Sequence, residues 1–533
     1  MSEVRCGGCL SGASFWGLSP ILLSTLNAQY IHASFGLRCL AANMGELAPR
    51  TRLLEFDINQ RPLDIAEKML AQAPAIIGLG VYVWNARQTL EVVRLLKRIA
   101  PGILLVLGGP EVSHETQEQE ICALADVVIT GEADLAFAEV CRVLLAGGRP
   151  PQKVVCAELP DVRELLFPYA LYGADDLAHR VLYVEASRGC PFRCQFCLSS
   201  LDVPVRQFPL EPFLAEMEAL MARGARRFKF VDRTFNLHLE TSLAILDFFW
   251  QRYEPGLFLH FEIVPDRLPS PLREAIAKFP PGSLQLEAGV QTFNAEAAER
   301  IERRQDYGRL EENLQFLREQ THAHLHADLI AGLPGETLAS FAEGFDRLVA
   351  LRPHEIQVGM LKRLRGAPIS RHTEAWGMVY ADDAPYELLC NRDVDFPTMQ
   401  RVRRFAKYWD HVANSGDYVE TSALLWAGNN GSPFFAFMAF TDWAYGILKR
   451  TDSIGLATWA ELLFRYLTET AGLAAEQVRE VLRGDFVRSG RKEWPQFLRD
   501  EAVRRVARTK THPGSPLPKR QQRHLSQTPE LEG

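Results

Sequence analysis

The chain has 533 residues, 47% of them hydrophobic and 23% charged, enough to bury several cores and to form about three domains. Its formal net charge of -7 gives no general reason to expect a nucleic-acid partner. Ten cysteines in a chain this long are not a disulfide framework, and no run reaches the ~18 apolar residues of a membrane span; the richest stretch, Pro433 to Leu448, is broken by Thr441 and Asp442.

The first eighteen residues show no regular pattern. Cys6 and Cys9 form a C-x-x-C there, without the strand–helix–strand setting of a redox pair and with no second pair nearby. Arg5 and the apolar Phe15-Trp16 supply too little charge and too short an apolar core for a signal peptide. From Pro20, apolar runs alternate with amphipathic ones. Strands are predicted at 21–26, 52–56, 75–83, 103–107 and 126–130, and helices at 34–44, 63–71, 86–99 and 135–145. Five strands alternating with helices over 19–150 imply a doubly wound parallel sheet, whose ligands bind beyond the carboxyl ends of the strands. The loops at those ends are Asn27 to Gly36, which holds His32, then Val83-Trp84-Asn85, Gly108-Gly109-Pro110-Glu111 and Gly131-Glu132-Ala133-Asp134. They contain no G-x-G-x-x-G, which argues against a nicotinamide site, while their glycines let backbone approach a large planar ligand. Pro150-Pro151 and Leu159-Pro160-Asp161 punctuate a connector over 151–179, in which Leu166-Phe167-Pro168-Tyr169 should pack on a neighbour.

Next, Val181-Leu182-Tyr183-Val184 reads as a strand feeding the loop Glu185 to Cys197. Cys190, Cys194 and Cys197 stand there in a C-x-x-x-C-x-x-C spacing. Three thiolates in one loop can hold three irons of a cubane cluster that ordinarily takes four, which leaves the fourth iron open. The alternative is a zinc knuckle, but structural zinc takes four N or S ligands. No Cys or His follows until His238, and His179 lies across the strand. An iron–sulfur cluster needs a reducing compartment, which predicts a cytoplasmic protein. Further strands are predicted at 227–231, 258–263, 283–287, 326–330 and 355–359, with helices between them, for example at 210–223, 242–250 and 310–320. Six βα units over 180–370 make an incomplete parallel α/β barrel, with polar strand-end residues lining its open mouth.

Residues 371–508 are helical in pattern, at 396–412, 433–449, 457–467, 474–482 and 494–506. Tyr408, Trp409 and the aromatics from Trp426 to Tyr445 either line a pocket or form the core of a helical bundle, and core is the commoner outcome. Residues 509–533 are polar, carry Pro513, Pro516, Pro518 and Pro529, lack apolar periodicity and are expected to be disordered.

The cysteine loop, with Phe196 before its last cysteine, resembles the radical S-adenosylmethionine (SAM) superfamily. The N-terminal layout is similar to the cobalamin-binding domain found ahead of such loops, which Gly108-Gly109 and Gly131-Glu132 match. That domain's usual D-x-H-x-x-G is here Tyr30-Ile31-His32-Ala33-Ser34-Phe35-Gly36, with no Asp and one extra residue before Gly36. The resemblance implies base-off cobalamin against His32, Gly36, Val83, Gly108, Gly109, Gly131 and Glu132, and leaves ligation by His32 open. In the barrel, Asp232 to Asn236, Glu262 with Pro265-Asp266, Glu287 to Gln291, Asp328 to Glu336 and Leu364 to Pro368 resemble strand-end segments of the radical superfamily. Those beginning at Glu287 and Asp328 take the form shared with oxygen-independent coproporphyrinogen oxidases. The resemblance covers roughly residues 20–370. It implies a 4Fe-4S cluster on Cys190, Cys194 and Cys197, and SAM contacts from Phe196, Asp232, Glu262, Glu287, Gln291, Asp328, Gly332 and Gly335. The remainder resembles a subgroup whose helical C-terminal domain has no known function.

The activity so implied is reductive cleavage of SAM to a 5′-deoxyadenosyl radical and methylation of an unactivated carbon. An external electron donor such as flavodoxin or ferredoxin would be needed. One alternative is ring formation or oxidation without methyl transfer, as in the anaerobic magnesium-protoporphyrin monomethyl ester cyclase. Another is a cobalamin or redox sensor. Nothing in the C-terminal part identifies a substrate, small molecule or otherwise, or a catalytic residue.

Overall fold

The computed structural model describes residues 21–202, 204–427, 431–491, 494–499 and 519–524. The C-x-x-C at Cys6 and Cys9 lies outside the described residues. The chain divides into two compact units, Met1–Gly173 and Ala174–Gly533, and each contains its own six-stranded parallel sheet.

In the first unit the strands are β1 (Ile21–Asn27), β2 (Thr51–Asp57), β3 (Ile76–Gly80), β4 (Leu104–Gly108), β5 (Val127–Thr130) and β6 (Val154–Cys156). They run in the order β2-β1-β3-β4-β5-β6, and every pair is parallel. Every residue of β1 is buried, as expected of a strand covered on both faces of the sheet. Helix Ala86–Ile99 turns Thr89, Val92, Val93 and Leu96 inward, the spacing of one helical face.

Two features of this unit differ from the sequence expectation. β3 ends at Gly80 rather than at Val83, because Asn85 turns the chain there. Its side-chain oxygen accepts from Tyr82 N–H at 2.8 Å, and its amide donates to the carbonyls of Leu26 and Gly80. The sixth strand, β6, pairs with β5 and comes from the stretch read as connector. It is only three residues long, too short for a period to register. The segment after it also packs on this unit. Asn43 exchanges hydrogen bonds with the Leu166 backbone at 2.9 and 3.3 Å, and Tyr169 stacks on Phe35 and Phe167.

The second unit begins with β7 (Leu182–Val184), followed by a small antiparallel pair, β8 (Ser187–Arg188) and β9 (Arg206–Gln207), that brackets the cysteine loop. The sheet continues with β10 (Arg227–Phe230), β11 (Phe258–Ile263), β12 (Leu284–Gln291), β13 (His324–Ala331) and β14 (Glu355–Met360). Its order is β14-β13-β12-β11-β10-β7, so spatial order follows chain order, as an open βα barrel requires. β12 and β13 run to eight residues each, longer than predicted. Their buried Leu286, Ala288, Val290, Leu325, Ala327 and Leu329 alternate with polar residues and Gly289, which break the apolar runs. Glu287, Gly289 and Gln291 of β12 share the other face with His326 and Asp328 of β13, since side chains alternate with period two.

Beyond the sheet come helices Phe396–Val412, Val419–Ala427, Pro433–Leu448, Leu456–Arg465 and Ala475–Ser489. The second of these was not predicted. Their aromatics form a core rather than a pocket: Phe405, Trp409, Phe434 and Phe437 are buried and pack ring to ring with Phe345. The expectation of disorder over 509–533 is corrected at Lys519–His524, which form a helix. Arg520 reaches Glu355 and Asp410, Arg523 reaches Asp417, and the His524 ring lies 5.3 Å from that of His324. Its attachment is polar, so no apolar stripe announces it. Among the described residues no helix is long and apolar enough to cross a membrane.

Candidate functional site

The three-cysteine loop is shaped by its own backbone. Gly189 has a φ of 91°, and a Cβ there would stand 2.8 Å from the carbonyl oxygens of Asp202 and Pro204. The turn into Cys190 therefore requires glycine. The N–H of Cys190 donates to Asp202 and that of Cys197 to Cys194, both at 3.0 Å. Gln195 is buried and anchors the loop. Its backbone bonds Ile301 and Ile369, and its side chain bonds Glu302 and His372 at 2.7 and 2.6 Å.

One cavity at the carboxyl end of this sheet is lined by Cys190, Cys194 and Cys197 together with Phe196, Glu262, Glu287, Gln291 and Asp328. Three other expected contacts lie elsewhere. Asp232 is buried and is not among the lining residues. It accepts from Ala186 N–H at 3.0 Å and from the Ser187 hydroxyl at 2.6 Å, and so braces the start of the cysteine loop. Burial pushes its carboxyl up to about 6, against the pull of those donors. Gly332 and Gly335 make close approaches to protein. A Cβ would meet Leu388 and Met399 at the first, and Arg300 and Trp376 at the second.

Within the cavity each carboxylate has a basic neighbour. Burial pushes Glu262 up while Arg233, 3.3 Å away, opposes it. Burial also acts on Glu287, but the hydrogen bond from His260 Nε2 at 2.9 Å and the Lys229 ammonium at 3.6 Å overcome it and bring the carboxyl to about 2. Asp328 Oδ1 stands 3.3 Å from His326 Nε2. Both atoms are buried without a hydrogen-bond partner, and burial holds Asp328 above the ordinary carboxylate range. Gln291 closes β12 with a φ of 69° at a register shift, a conformation that costs energy outside glycine and clusters at functional sites. Its amide folds back over Gly289, where a Cβ would stand 2.6 Å from Nε2.

Sequence reasoning missed the cations. Arg303 lines the cavity with Nη1 3.5 Å from Cys194 Sγ, and Nη2 bonds the Gly289 carbonyl. It sits in a turn between two helices, where nothing in the pattern marks it. His260 and His326 were legible in principle, because each stands two residues before a predicted site carboxylate on the same strand face.

The donor set fits an iron–sulfur cluster. The three thiols line a shared cavity, which suits a polynuclear cluster in which each thiolate takes its own iron.

In the first unit the strand order reverses at β1, which lies between β2 and β3, and ligands of open α/β sheets bind at such a point. The loop after β1 carries His32, half-buried, and leads into the helix that Gly36 helps open. A Cβ on Gly36 would lie 3.1 Å from the Tyr82 hydroxyl. Glu55 accepts from Arg38, Asn27 and the Ser34 N–H at 2.6–2.7 Å, fixing that loop. Val83 lies in the loop after β3, beside the stacked pair Tyr82–Trp84, whose rings are 4.4 Å apart. Gly108 and Gly109 end β4 and begin its loop, and Gly131 and Glu132 follow β5. Tyr30, Ile31 and Trp84 are exposed at this edge, an apolar rim suited to a flat macrocycle.

A three-thiol loop at the mouth of an open parallel barrel, with a separate unit whose ligand edge is aromatic, is the arrangement that the resemblance to cobalamin-binding radical SAM proteins implies. Residues 22–141 match the B12 binding domain, residues 184–348 the radical SAM superfamily, and residues 374–521 a family described as a protein of unknown function (DUF4080). The chain thus carries a match to the B12 binding domain ahead of a match to the radical SAM superfamily.

Among curated proteins it is 28% identical over 341 residues to the 2-(S-pantetheinyl)-carbapenam-3-carboxylate methyltransferase of Streptantibioticus cattleyicolor, covering 56% of this chain and 48% of that protein. It is 26% identical over 335 residues to the cobalamin-dependent radical SAM methyltransferase TokK of Streptomyces tokunonensis, with the same two coverages, 56% and 48%. The match thus spans about half the length of these relatives. Among solved structures, the fold is shared with the radical SAM methyltransferase TsrM of Kitasatospora setae with cobalamin and a [4Fe-4S] cluster bound, at a TM-score of 0.58 and 15% identity over 88% of this chain and 99% of that one. It is also shared with the cobalamin-dependent SAM radical enzyme OxsB, at a TM-score of 0.58 and 14% identity over 89% and 79%.

Proposed function

We propose that the protein is a cobalamin-dependent radical SAM methyltransferase acting on an unactivated carbon. The observation that carries this reading is the cavity in which three thiols meet carboxylates, an amide and a cation. When bound, a reduced 4Fe-4S cluster would supply the electron that splits SAM into methionine and a 5′-deoxyadenosyl radical, and cobalamin would supply the methyl group. Cys190, Cys194 and Cys197 would hold the cluster. Glu262 would pair with the SAM ammonium and Arg303 with its carboxylate, in charge-assisted hydrogen bonds. Gln291 and Asp328 would bind the ribose hydroxyls, and Phe196 would pack beside the cluster. Glu287 would set the charge of the cavity floor, held ionised by His260 and Lys229. In the first unit, the loops carrying His32, Gly36, Val83, Gly108, Gly109, Gly131 and Glu132 would bind cobalamin. The names of both curated relatives, each a methyltransferase, support the reading. A cytoplasmic location and a flavodoxin or ferredoxin as electron donor follow from the need for reducing power.

The test uses SAM with a deuterated methyl group, cobalamin, reductant and a small-molecule extract of the native organism. The expected result is a product carrying the deuterated methyl, formed together with 5′-deoxyadenosine and S-adenosylhomocysteine. 5′-Deoxyadenosine with an unmethylated, ring-closed or oxidised product would favour the cyclase reading instead.

A further inference from the structure

Arg233 follows Asp232 at the end of β10, and 52% of its side chain is exposed. Its Nη1 contacts both oxygens of Glu262, at 3.3 and 3.4 Å. That is a long contact through one nitrogen, not the pair of parallel bonds a guanidinium fork makes with a carboxylate. Among the described residues the guanidinium makes no other hydrogen bond. The charges that favour its ionised form are Glu262 first, then Cys197 and Glu287.

Two cations have a claim on Glu262. In this structure Arg233 holds it; on the reading proposed above, on which this inference rests, the SAM ammonium takes it. Arg233, half-exposed, would then stand without its carboxylate partner and could take another anion. The other cavity carboxylates have basic neighbours of their own: Glu287 has His260 and Lys229, and Asp328 has His326. Arg303, with Nη1 3.5 Å from Cys194 Sγ, is the cation assigned above to the SAM carboxylate. The molecule that shares the cavity is placed to supply such an anion. We infer that the substrate carries a carboxylate or phosphate group, which the Arg233 guanidinium binds as a fork once the SAM ammonium has taken Glu262.

An anion that binds Arg233 only in the SAM complex must, by linkage, tighten SAM. The experiment is equilibrium dialysis of labelled SAM against the anaerobically reconstituted full chain, at fixed pH and ionic strength, in chloride, acetate or inorganic phosphate. Cluster absorbance checks the folding of each variant. Acetate or phosphate should tighten SAM about threefold relative to chloride, the response when the anion is present at about twice its dissociation constant. Whichever does so names the anion class. The effect should disappear in Arg233→Met. No tightening in the wild type, or tightening that survives in Arg233→Met, overturns the inference. So does a loss of SAM affinity in Arg233→Met, in chloride alone, as large as that of Glu262→Gln, because Arg233 would then be binding SAM itself. Glu262→Gln tests the underlying reading separately: SAM binding equal to wild type would remove the ammonium from Glu262, while the anion effect at Arg233 would still be read on its own.

Discussion

Replacing Arg303 by Gln removes one positive charge beside Cys194, one of the three proposed cluster ligands. Its Nη1 lies 3.5 Å from Cys194 Sγ; for an electron spread beyond that sulfur a separation of about 5–6 Å is taken. At an effective dielectric near 20, a unit charge at that distance is worth roughly 3 kcal/mol. A one-electron couple moves about 59 mV for each tenfold, or 1.4 kcal/mol, so the midpoint potential should fall by roughly 100 mV. The assay is an anaerobic redox titration followed by electron paramagnetic resonance of the reduced cluster, run without SAM so that carboxylate binding does not enter. Arg303→Lys should recover part of the shift. A change below about 20 mV, or a rise in potential, would refute the placement of this charge beside the cluster.

Asp232→Asn should turn one acceptor into a donor facing Ala186 N–H or the Ser187 hydroxyl, at a cost of about 1–3 kcal/mol; hydrogen exchange in peptides spanning 184–190 should quicken by roughly ten- to a hundredfold, and unchanged protection would mean that the brace carries no load. Glu287 titrates at about 2 in the fold against 4.5 for the free group, so its stabilisation is present above pH 4.5 and is lost as pH falls towards 2. The amount is about 3 kcal/mol, and acid unfolding of Glu287→Gln should be correspondingly flatter over that window; equal slopes would contradict the assignment. Phe405→Ala removes a fully buried ring that packs against Phe345, Trp409, Phe434 and Phe437. It should cost about 3–5 kcal/mol and lower the thermal transition of the second unit, and an unchanged transition would deny those helices a shared core. For His32, the cob(II)alamin form should show no histidine splitting in electron paramagnetic resonance; a splitting that responds to nitrogen-15 histidine and vanishes in His32→Ala would make His32 the cobalt ligand.

Much of this was legible because burial here follows period. Helices Ala86–Ile99 and Phe396–Val412 stand where the predicted ranges put them, since each turns one apolar stripe inward. The three cysteines needed only their spacing and the strand before them. β6 escaped because three residues show no period. The Lys519–His524 helix escaped because it is held by ion pairs and edge-on imidazole contacts, whose partners are more than a hundred residues away. Strand-end position put Glu262, Glu287, Gln291 and Asp328 in one cavity, but it could not separate them from Asp232, whose side chain turns back to the loop backbone. Glycine at 332 and 335 signalled close approach without saying to what, and the answer was Leu388 and Arg300. Arg303 depends on a loop path that no local pattern encodes.

The central claim is that Cys190, Cys194 and Cys197 and the cavity around them form a site that cleaves SAM reductively. The most direct measurement is the release of 5′-deoxyadenosine from SAM by the anaerobically reconstituted, chemically reduced protein, compared with the variant in which all three cysteines are Ala. The account predicts 5′-deoxyadenosine from the wild type and none above background from the variant. Equal release from both, or none from a wild type that holds its full iron and sulfide, would contradict it.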